Sequence, residues 1–323
     1  MKRVGVSVLN YRAAEDTIAC VRSLLRAEDK AGQRFELSVR VVDNGSGRDE
    51  GEHLREMLAG DPRVTLSLHE SNVGFAAGHN RNIEAFLRQD APDYVWLLNN
   101  DCLVDDETVP ALLACCDARP GVAVWGATLL ETDGRTVQCA GGCAYRPWLS
   151  SFRQHGRGRS VDQVAALPEP TLDYVAGASL FMPVATLTGS LAPPKTRDAP
   201  PASWLNEEFF LYFEELDLAR RLEPDLELGW CRGARIRHAG GGGTGARPGR
   251  RSPTGEYHST LSALKYTDLY EPGLLWLMAP ARFGVKAVMN LFTGRLDLLR
   301  ALASAYGDFF AWRRGDPQPL RYR

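Results

Sequence analysis

The sequence contains no apolar run that reads as a membrane span and no large excess of charge of either sign. Of its 323 residues, 24% are charged, and the formal net charge is -2. This balance argues against the broad basic surface of a nucleic-acid-binding protein and against a disordered acidic tail. The longest uncharged run, from Tyr174 to Pro194, is interrupted by prolines, glycines and hydroxyl side chains, so we interpret it as a buried strand and turn.

Cysteine is too scarce and too scattered for a disulfide framework. The seven cysteines are odd in number, and Cys139 and Cys143 have no second pair nearby to complete a zinc site. The apolar stretch from Val4 to Leu9 is too short for the core of a secretory signal, so we expect a first strand there. These features predict a reducing compartment and a cytoplasmic location.

Apolar residues make up 44% of the chain, which is enough to bury a full core. In the first hundred residues, short β-branched runs alternate with helical patterns, and this predicts a parallel sheet covered by helices. The expected strands are 4–10, 37–42, 64–68 and 94–98, and the expected helices are 14–27, 50–58 and 77–89. Ligands of such sheets bind beyond the carboxyl ends of the strands, so the loops that follow them are expected to carry the chemistry.

From residue 121 the pattern changes to shorter extended pieces, of which 122–130 and 174–183 are the clearest strands. The stretches 150–172 and 188–203 are rich in Pro, Ser, Arg and Gly and predict excursions from the fold. The glycine-rich stretch 240–253 predicts a flexible loop. Helices are predicted over 261–269 and 274–312.

Several loops place acids where a ligand would meet them. Asp43 in VVDNGS ends one predicted strand, and Asp101 in LLNND follows another. A carboxylate and amides at a strand end suit a divalent cation, although a turn or helix cap explains such residues as well. The acids Glu214, Glu215 and Asp217 lie near a helix start, where a general base or a simple complement to the helix dipole fits equally.

In this order, VSVLNYR, VVDNGS, NVGFAAGHN, WLLNND, DYVAGASLFM, EEFFLYFEELDLARRL and RIRHAGG resemble the family 2 glycosyltransferases of the GT-A fold. The rhamnosyltransferase-like branch of bacterial surface-polysaccharide biosynthesis is the most similar. The resemblance covers about Val4 to Tyr270. It implies an α/β fold with a Rossmann-like mixed sheet flanked by helices, followed here by a helical C-terminal extension. The implied domains are a catalytic domain over 1–270, divided near residue 120 into nucleotide-binding and acceptor-binding halves, and an extension over 271–323.

The resemblance also implies which residues hold the donor. Asp43 matches the position that reads a pyrimidine base, with the Asn10 and Tyr11 backbone beside it. Asp101 matches the metal ligand of the family's D-x-D pattern and His238 a metal or diphosphate ligand, so Mg²⁺ or Mn²⁺ is the expected cofactor. Asn99 replaces the first acid of that pattern. Further donor contacts are expected from Asn72, Gly78, Asn80 and Asn100.

On the acceptor side, the resemblance assigns the general base to Glu215. The family usually has Asp at this position, and the extra methylene of Glu requires an adjustment of about 1 Å in the site. Gly177 is expected to leave room for the donor sugar. Glu214 and Asp217 are also placed on the acceptor side, with Asp217 interpreted chiefly as a residue that supports the fold.

Taken together, these features predict an inverting glycosyltransferase that moves a sugar from a UDP or dTDP donor, with dTDP-rhamnose as one candidate, to a glycan or lipid-linked hydroxyl. A non-catalytic nucleotide-sugar-binding scaffold and a sugar nucleotidyltransferase are the alternatives. The second is weakened because Val8 to Arg12 lack a glycine-rich, basic loop for a triphosphate. No partnership with nucleic acid is expected.

The C-terminal segment 281–323 combines basic residues with aromatic ones. Eight basic and three acidic side chains give it a charge of +5. Such a mixture is found in helices that lie on anionic membranes. Peripheral contact with the cytoplasmic face of a membrane is therefore one interpretation. Packing on the catalytic domain, or on a second subunit in a homodimer, is the other.

Overall fold

The computed structural model describes residues 1–58, 60–196, 204–240, 251–316 and 321–322. Strands and helices alternate in the first 118 residues, as predicted. In chain order these elements are β1 (Lys2–Asn10), α1 (Ala14–Ala31), β2 (Phe35–Asp43), α2 (Arg48–Leu58), β3 (Val64–Leu68), α3 (Phe75–Ala85), β4 (Tyr94–Asn99), β5 (Cys102–Val104) and α4 (Thr108–Ala118).

The rest of the chain begins with strands and ends with helices. Its elements are β6 (Val122–Leu130), β7 (Val137–Ala140), β8 (Gly142–Arg146), β9 (Ser151–Gln154), α5 (Val161–Ala165), β10 (Tyr174–Val175), β11 (Ser179–Pro183), α6 (Val184–Gly189), α7 (Glu214–Arg220), β12 (Glu227–His238), α8 (Pro253–Tyr270), α9 (Leu275–Phe292) and α10 (Leu296–Arg314).

One mixed sheet organises the described residues. Its strand order is β3-β2-β1-β4-β11-β6-β12-β5, and β7 pairs with β6. The first four strands are parallel, whereas β11 runs antiparallel to β4 and β6. Strand β12 returns to the parallel direction beside β6. The predicted α/β mixed sheet flanked by helices is confirmed.

The prediction of one strand over 174–183 was wrong. The chain breaks at 176–178, so that β10 joins a small sheet of order β10-β8-β9 and β11 enters the main sheet. The stretch 150–172, predicted as an excursion, contains β9 and the short helix α5, which Ser160 caps. Parts of the other two irregular stretches, 197–203 and 241–250, lie outside the described residues.

The C-terminal extension consists of separate helices rather than one continuous helical segment over 274–312. Helix α9 ends at Phe292, and α10 begins at Leu296 after a turn through Gly294, which has a φ of +65°. Buried residues of α8, α9 and α10 form a core of their own, which includes Tyr257, Met278 and Phe309. None of the helices in the described part of the chain is long and apolar enough to cross a membrane.

Candidate active site

The polar residues singled out from the sequence gather along one edge of the main sheet. Asn10 and Asp43 end the parallel strands β1 and β2, and Asn99 ends β4. Since β11 is antiparallel to β4, its first residue pairs with Leu98, which puts the preceding Gly177 at the same edge. His238 ends β12 there as well. This is the edge at which α/β sheets bind their ligands.

Asp43 is held by a chain of hydrogen bonds that crosses three strands. The Asn10 side-chain nitrogen donates to the Asp43 carboxylate (2.7 Å), and the Thr17 hydroxyl donates to the side-chain oxygen of Asn10 (2.7 Å). The Asn100 amide in turn donates to Thr17 (3.0 Å). Because Asn10 is fully buried, its side chain orients Asp43, and its role is to position the carboxylate.

The Asp43 carboxylate also accepts bonds from the backbone N–H (3.1 Å) and the hydroxyl (2.5 Å) of Ser46. These bonds form the tight turn that the sequence suggested, so the turn and a ligand-facing role coexist at this residue. Next to the turn, Tyr11 is half-buried, and the guanidinium of Arg12 lies 5.0 Å from the centre of its ring.

The segment NVGFAAGHN has mainly structural contacts. Asn72 accepts bonds from the Asn44 amide (2.8 Å) and from the Gly74 backbone (2.9 Å). A Cβ on Gly78 would lie 2.4 Å from a methyl of Leu9, so this glycine allows α3 to pack closely on β1. We therefore explain Gly78 by packing, which differs from the donor contact expected from the sequence.

The Asn80 side chain is likewise engaged within the protein. It donates to the Leu205 carbonyl (2.8 Å) and to Glu207 (2.9 Å), and it accepts from the Leu205 backbone (2.9 Å). Both N–H donors of this amide and one of the two lone pairs of its oxygen are in use. Asn80 thus fastens α3 to the segment that leads into α7, and the expected donor contact is not what its geometry favours.

Asp101 and His238 lie face to face, although 137 positions separate them in the sequence. The distance from Asp101 Oδ1 to His238 Nε2 is 3.2 Å. With the Cys102 thiol they form a group whose potential metal-ligand atoms all lie within 4.8 Å of one another. The pairing of β12 with β5 produces this arrangement, because it sets His238 opposite Cys102.

Gln138, which sequence reasoning missed, fixes the orientation of the imidazole. Its amide nitrogen donates to Glu131 (2.8 Å) and to the His238 carbonyl (2.7 Å). Its oxygen therefore accepts from His238 Nδ1 at 2.9 Å. A neutral imidazole with its proton on Nδ1 directs the lone pair of Nε2 toward Asp101, as metal-ligating histidines do.

The donor set fits a hard divalent cation held by two of the three residues. A carboxylate oxygen and an imidazole nitrogen suit Mg²⁺ or Mn²⁺. The Cys102 thiol does not, because burial and the neighbouring Asp101 raise its pKa well above the ordinary value, and it donates to the Ala178 carbonyl instead (3.7 Å). Asp101 and His238 would therefore hold the ion.

Glu215 lies at the start of α7, beside Gly177. Burial raises the pKa of its carboxyl to about 7, although backbone N–H groups at the helix start oppose the shift. A Cβ on Gly177 would be 3.3 Å from Glu215 Oε1, so the glycine leaves space at this carboxylate. Glu214 is buried, and burial together with the neighbouring Glu215 raises its pKa far above the ordinary range.

The turn before α7 has an unusual backbone. Tyr212 and Phe213 both have positive φ values, +68° and +77°, in a region that non-glycine residues seldom adopt. Two such residues in succession turn the chain sharply and set the direction in which α7 begins. Strain of this kind is concentrated at functional sites, where the surrounding structure maintains it.

Asp217 is fully buried and serves the fold. Its carboxylate forms an ion pair with Arg221 (2.6 Å) and accepts from the Asn206 amide (2.9 Å) and the Tyr270 hydroxyl (2.6 Å). These contacts tie α7 to the preceding loop and to α8. Of the two roles considered from the sequence, the structure favours support of the fold over contact with an acceptor.

Comparisons with known proteins agree with this geometry. Residues 4–141 match the model of the family described as glycosyl transferase family 2. The structure of S. aureus TarS residues 1–349 in complex with UDP-GlcNAc matches 96% of this chain and 81% of its own, at 15% identity and a TM-score of 0.52. No protein of curated function matches the sequence.

A second structure, GalNAc-T7 with UDP, GalNAc and Mn²⁺, matches 74% of this chain at 10% identity and a TM-score of 0.53. The chain spans 44% of GalNAc-T7 and 40% of a longer S. aureus TarS structure. At these identities the structural matches establish the shared fold, and they confirm the predicted GT-A architecture. The family model supports the predicted resemblance to family 2 over residues 4–141, and it does not single out a rhamnosyltransferase branch.

Proposed function

We propose that this protein, whose residues 4–141 match the model of glycosyl transferase family 2, moves a sugar from a nucleotide diphosphate to a hydroxyl with inversion and with the help of a divalent cation. The observation that carries this proposal is the pairing of Asp101 with an oriented His238 at the ligand-binding edge of the sheet. A protein that only bound nucleotide sugars would have no need of the base at the start of α7.

Asp101 and His238 would hold a divalent cation there, and its charge would neutralise the diphosphate as the glycosidic bond breaks. The roles of the protein's own residues in binding the donor follow from their contacts. Asp101 and His238 provide the two ligands, and Gln138 maintains the imidazole in its ligating tautomer. The Asp43 carboxylate, held by Asn10 and Ser46, accepts from the N–H of a pyrimidine base.

Glu215 is the base in this proposal. An acceptor hydroxyl must lose its proton as it attacks, and a carboxyl with a pKa near 7 is well suited to take it at neutral pH. One displacement with a single base inverts the anomeric centre. The space left by Gly177 accommodates the extra methylene that distinguishes Glu215 from the family's usual Asp.

The donor and acceptor are narrower proposals. A uridine or thymidine nucleotide follows from the role of Asp43, and the UDP-GlcNAc bound to S. aureus TarS makes that compound the first donor to test. dTDP-rhamnose is the donor suggested by the sequence motifs. A glycan or lipid-linked hydroxyl in cell-surface polysaccharide biosynthesis is the proposed acceptor.

Replacing Asp101 tests the function directly. Asp101→Asn removes the charge that holds the cation and keeps the shape of the side chain, so Mn²⁺-dependent release of UDP from UDP-sugars should fall by about 10² or more. Folding should be preserved, because the substitution takes a buried charge out of the protein. The measurement is UDP release with and without Mn²⁺, alongside thermal unfolding.

Asp105→Asn is a matched control, since Asp105 lies four residues further on, directly after β5, and is half-exposed. It should release UDP at the wild-type rate. Full activity of Asp101→Asn would remove the metal assignment. Tight, Mn²⁺-dependent binding of nucleotide sugars by the wild type without any turnover, over a range of acceptors, would instead identify a binding protein.

A further inference from the structure

The outward face of α9 is apolar along its whole length. Trp276 and Leu277 near its start are 76% and 59% exposed, and Leu291 and Phe292 at its end are 61% and 89% exposed. Val285 and Val288 between them are half-exposed. At about 1.5 Å per residue, the face from Trp276 to Phe292 is about 24 Å long. Monomeric soluble proteins rarely expose a continuous apolar surface of this extent.

The only two charged residues of α9 point inward. Arg282 is 8% exposed and donates to the carbonyls of Leu149 (3.2 Å), Ser150 (2.6 Å) and Ser259 (3.0 Å). Lys286 pairs with the buried Glu256 at 2.9 Å. The helix thus departs from the usual pattern, in which charged residues face water.

The apolar surface continues beyond α9. Because Arg282 binds the carbonyls of residues 149 and 150, α9 lies against the turn that precedes β9. In and after that turn, Trp148 and Phe152 are 52% and 57% exposed. We refer to Trp276, Leu277, Val285, Val288, Leu291 and Phe292, with Trp148 and Phe152, as the apolar face.

Basic residues border the apolar face at β9. Phe152 also lines a cavity of about 490 Å³ whose walls include Arg153, Arg157 and Arg159, together with His155. Among the described residues, no carboxylate forms an ion pair with these three arginines. The cavity walls contain no acid. A surface with this charge is complementary to phosphate groups.

Two occupants suit an apolar surface of this kind: a lipid bilayer or a second copy of the chain. Protein interfaces carry about one hydrogen bond per 100–200 Å², and their rims are polar. The exposed residues of α9 are apolar, with Trp276 contributing an indole N–H. Tryptophans at the margin of an apolar face and unpaired arginines beside it are instead the pattern of helices that lie in a membrane interface.

We propose that the apolar face of α9 and the arginines of the β9 cavity form a surface that binds anionic phospholipid bilayers peripherally. The apolar side chains enter the region between headgroups and acyl chains, and the arginines contact lipid phosphates. This inference extends the membrane contact considered for residues 281–323, because it adds Trp276, Leu277 and the residues around β9. It does not depend on the proposed function.

Sedimentation with vesicles tests the proposal. The full chain should bind vesicles of phosphatidylcholine mixed with phosphatidylglycerol, and it should bind phosphatidylcholine vesicles more weakly. Val288→Glu with Phe292→Glu should lower the partition coefficient about tenfold or more, because two charges would enter the apolar region. Arg153→Gln with Arg157→Gln should reduce the preference for anionic vesicles, by about fivefold for each arginine removed.

Met57→Glu is the control, because Met57 is a 39% exposed apolar residue on α2 and its replacement should leave vesicle binding unchanged. Val288→Ser with Phe292→Ser repeats the test with uncharged side chains if the glutamates disturb folding. UDP release with soluble acceptors should be unchanged in all these variants, so a failure of the function and a failure of lipid binding remain distinguishable.

Three results would overturn the proposal. They are a wild-type chain that binds neither kind of vesicle, a chain indifferent to lipid charge, and glutamate variants that bind as the wild type does. Light scattering of the wild type and the glutamate variants measures whether the chain forms a dimer. A dimer that the glutamate variants dissociate, with no vesicle binding by the wild type, would assign the apolar face to a second copy of this chain.

Discussion

At the scale of single residues, Glu215, the base in the proposed mechanism, links the structure to the expected pH dependence of turnover. The base must be ionised to accept a proton, and burial raises its pKa to about 7. The turnover rate should therefore be low in acid, rise through about pH 7 and level off above it. Glu215→Gln should lower turnover by about 10²–10⁴, leave the donor dissociation constant unchanged and abolish that rise.

Thermal unfolding of the same variant gives a second readout. A carboxyl whose pKa is raised in the folded state opposes folding once it ionises, so wild-type stability should fall as the pH rises from about 4.5 to about 7. Glu215→Gln lacks this loss and should be more stable than the wild type at about pH 8, by at most about 3 kcal/mol. Near-normal turnover of Glu215→Gln would contradict the assignment of Glu215 as the base and would favour Glu214.

Asp43 should make the site selective for pyrimidine nucleotides. Its carboxylate is fixed by Asn10 and Ser46 at the end of β2, and it can accept from the N–H of uracil or thymine. UDP or dTDP with Mn²⁺ should therefore raise the unfolding temperature more than GDP does. Asp43→Asn should reduce that difference. Equal or greater stabilisation by GDP in the wild type would remove the pyrimidine assignment.

The sequence alone indicates a candidate site residue when a short motif around that residue marks it. Asp43, Asp101 and Glu215 each follow a strand or begin a helix, where a short motif identifies them. Gln138 and Thr17 gave no such signal. Their roles arise from contacts across the fold, with His238 a hundred positions away in the case of Gln138, and no local pattern encodes a contact of that kind.

At the scale of elements, the break between β10 and β11 makes room for the base. Gly177 lies in that break, and a Cβ there would be 3.3 Å from Glu215 Oε1. Gly177→Ala should displace the carboxylate and lower turnover by about tenfold, since small misplacements of a catalytic group are costly. Gly121→Ala is a suitable control, because nothing lies within 4 Å of a Cβ there. Equal turnover in the two variants would contradict the spatial role of Gly177.

Helix α7 has only seven residues and depends on its buried ion pair. The side chains of Asp217 and Arg221 are 0% and 3% exposed. Asp217→Asn would leave the guanidinium buried without its counter-charge and should destabilise the protein by about 3–5 kcal/mol. Glu52→Gln breaks an exposed pair with the same spacing, Arg48 with Glu52, and should cost less than about 1 kcal/mol. Denaturant unfolding compares the two, and similar losses would argue against α7 relying on this pair.

Helices and strands with a strong hydrophobic pattern were predictable from the sequence. Strands that form only by pairing with distant segments were not. The alternation through β4 and the strand β6 follow from runs of apolar residues. Strands β7, β8 and β9 are short and have no strong hydrophobic pattern of their own. They form because β7 pairs with β6 and β8 pairs with β9. The same reason explains why 174–183 could not be divided from the sequence, since its halves differ only in the partners they meet.

At the scale of the whole molecule, the rule that ligands bind at the carboxyl edge of a parallel sheet predicts the edge at which the candidate residues gather. That rule does not predict how the second half of the chain reaches the same edge. Strand β12 crosses beside β6 and delivers His238, and α7 delivers Glu215 beside Gly177. The family match ends at residue 141, before any of these three residues.

The position of β11 in the main sheet has a consequence for how the protein is made. Strands β4 and β6 lie close in sequence, yet they are joined only through β11, which begins at Ser179. While the chain is being synthesised, the edges of both strands therefore stay open until residues 179–183 have left the ribosome. Helices α1 to α4 can cover the faces of the early strands during that interval, but only the later strand can close the gap between β4 and β6.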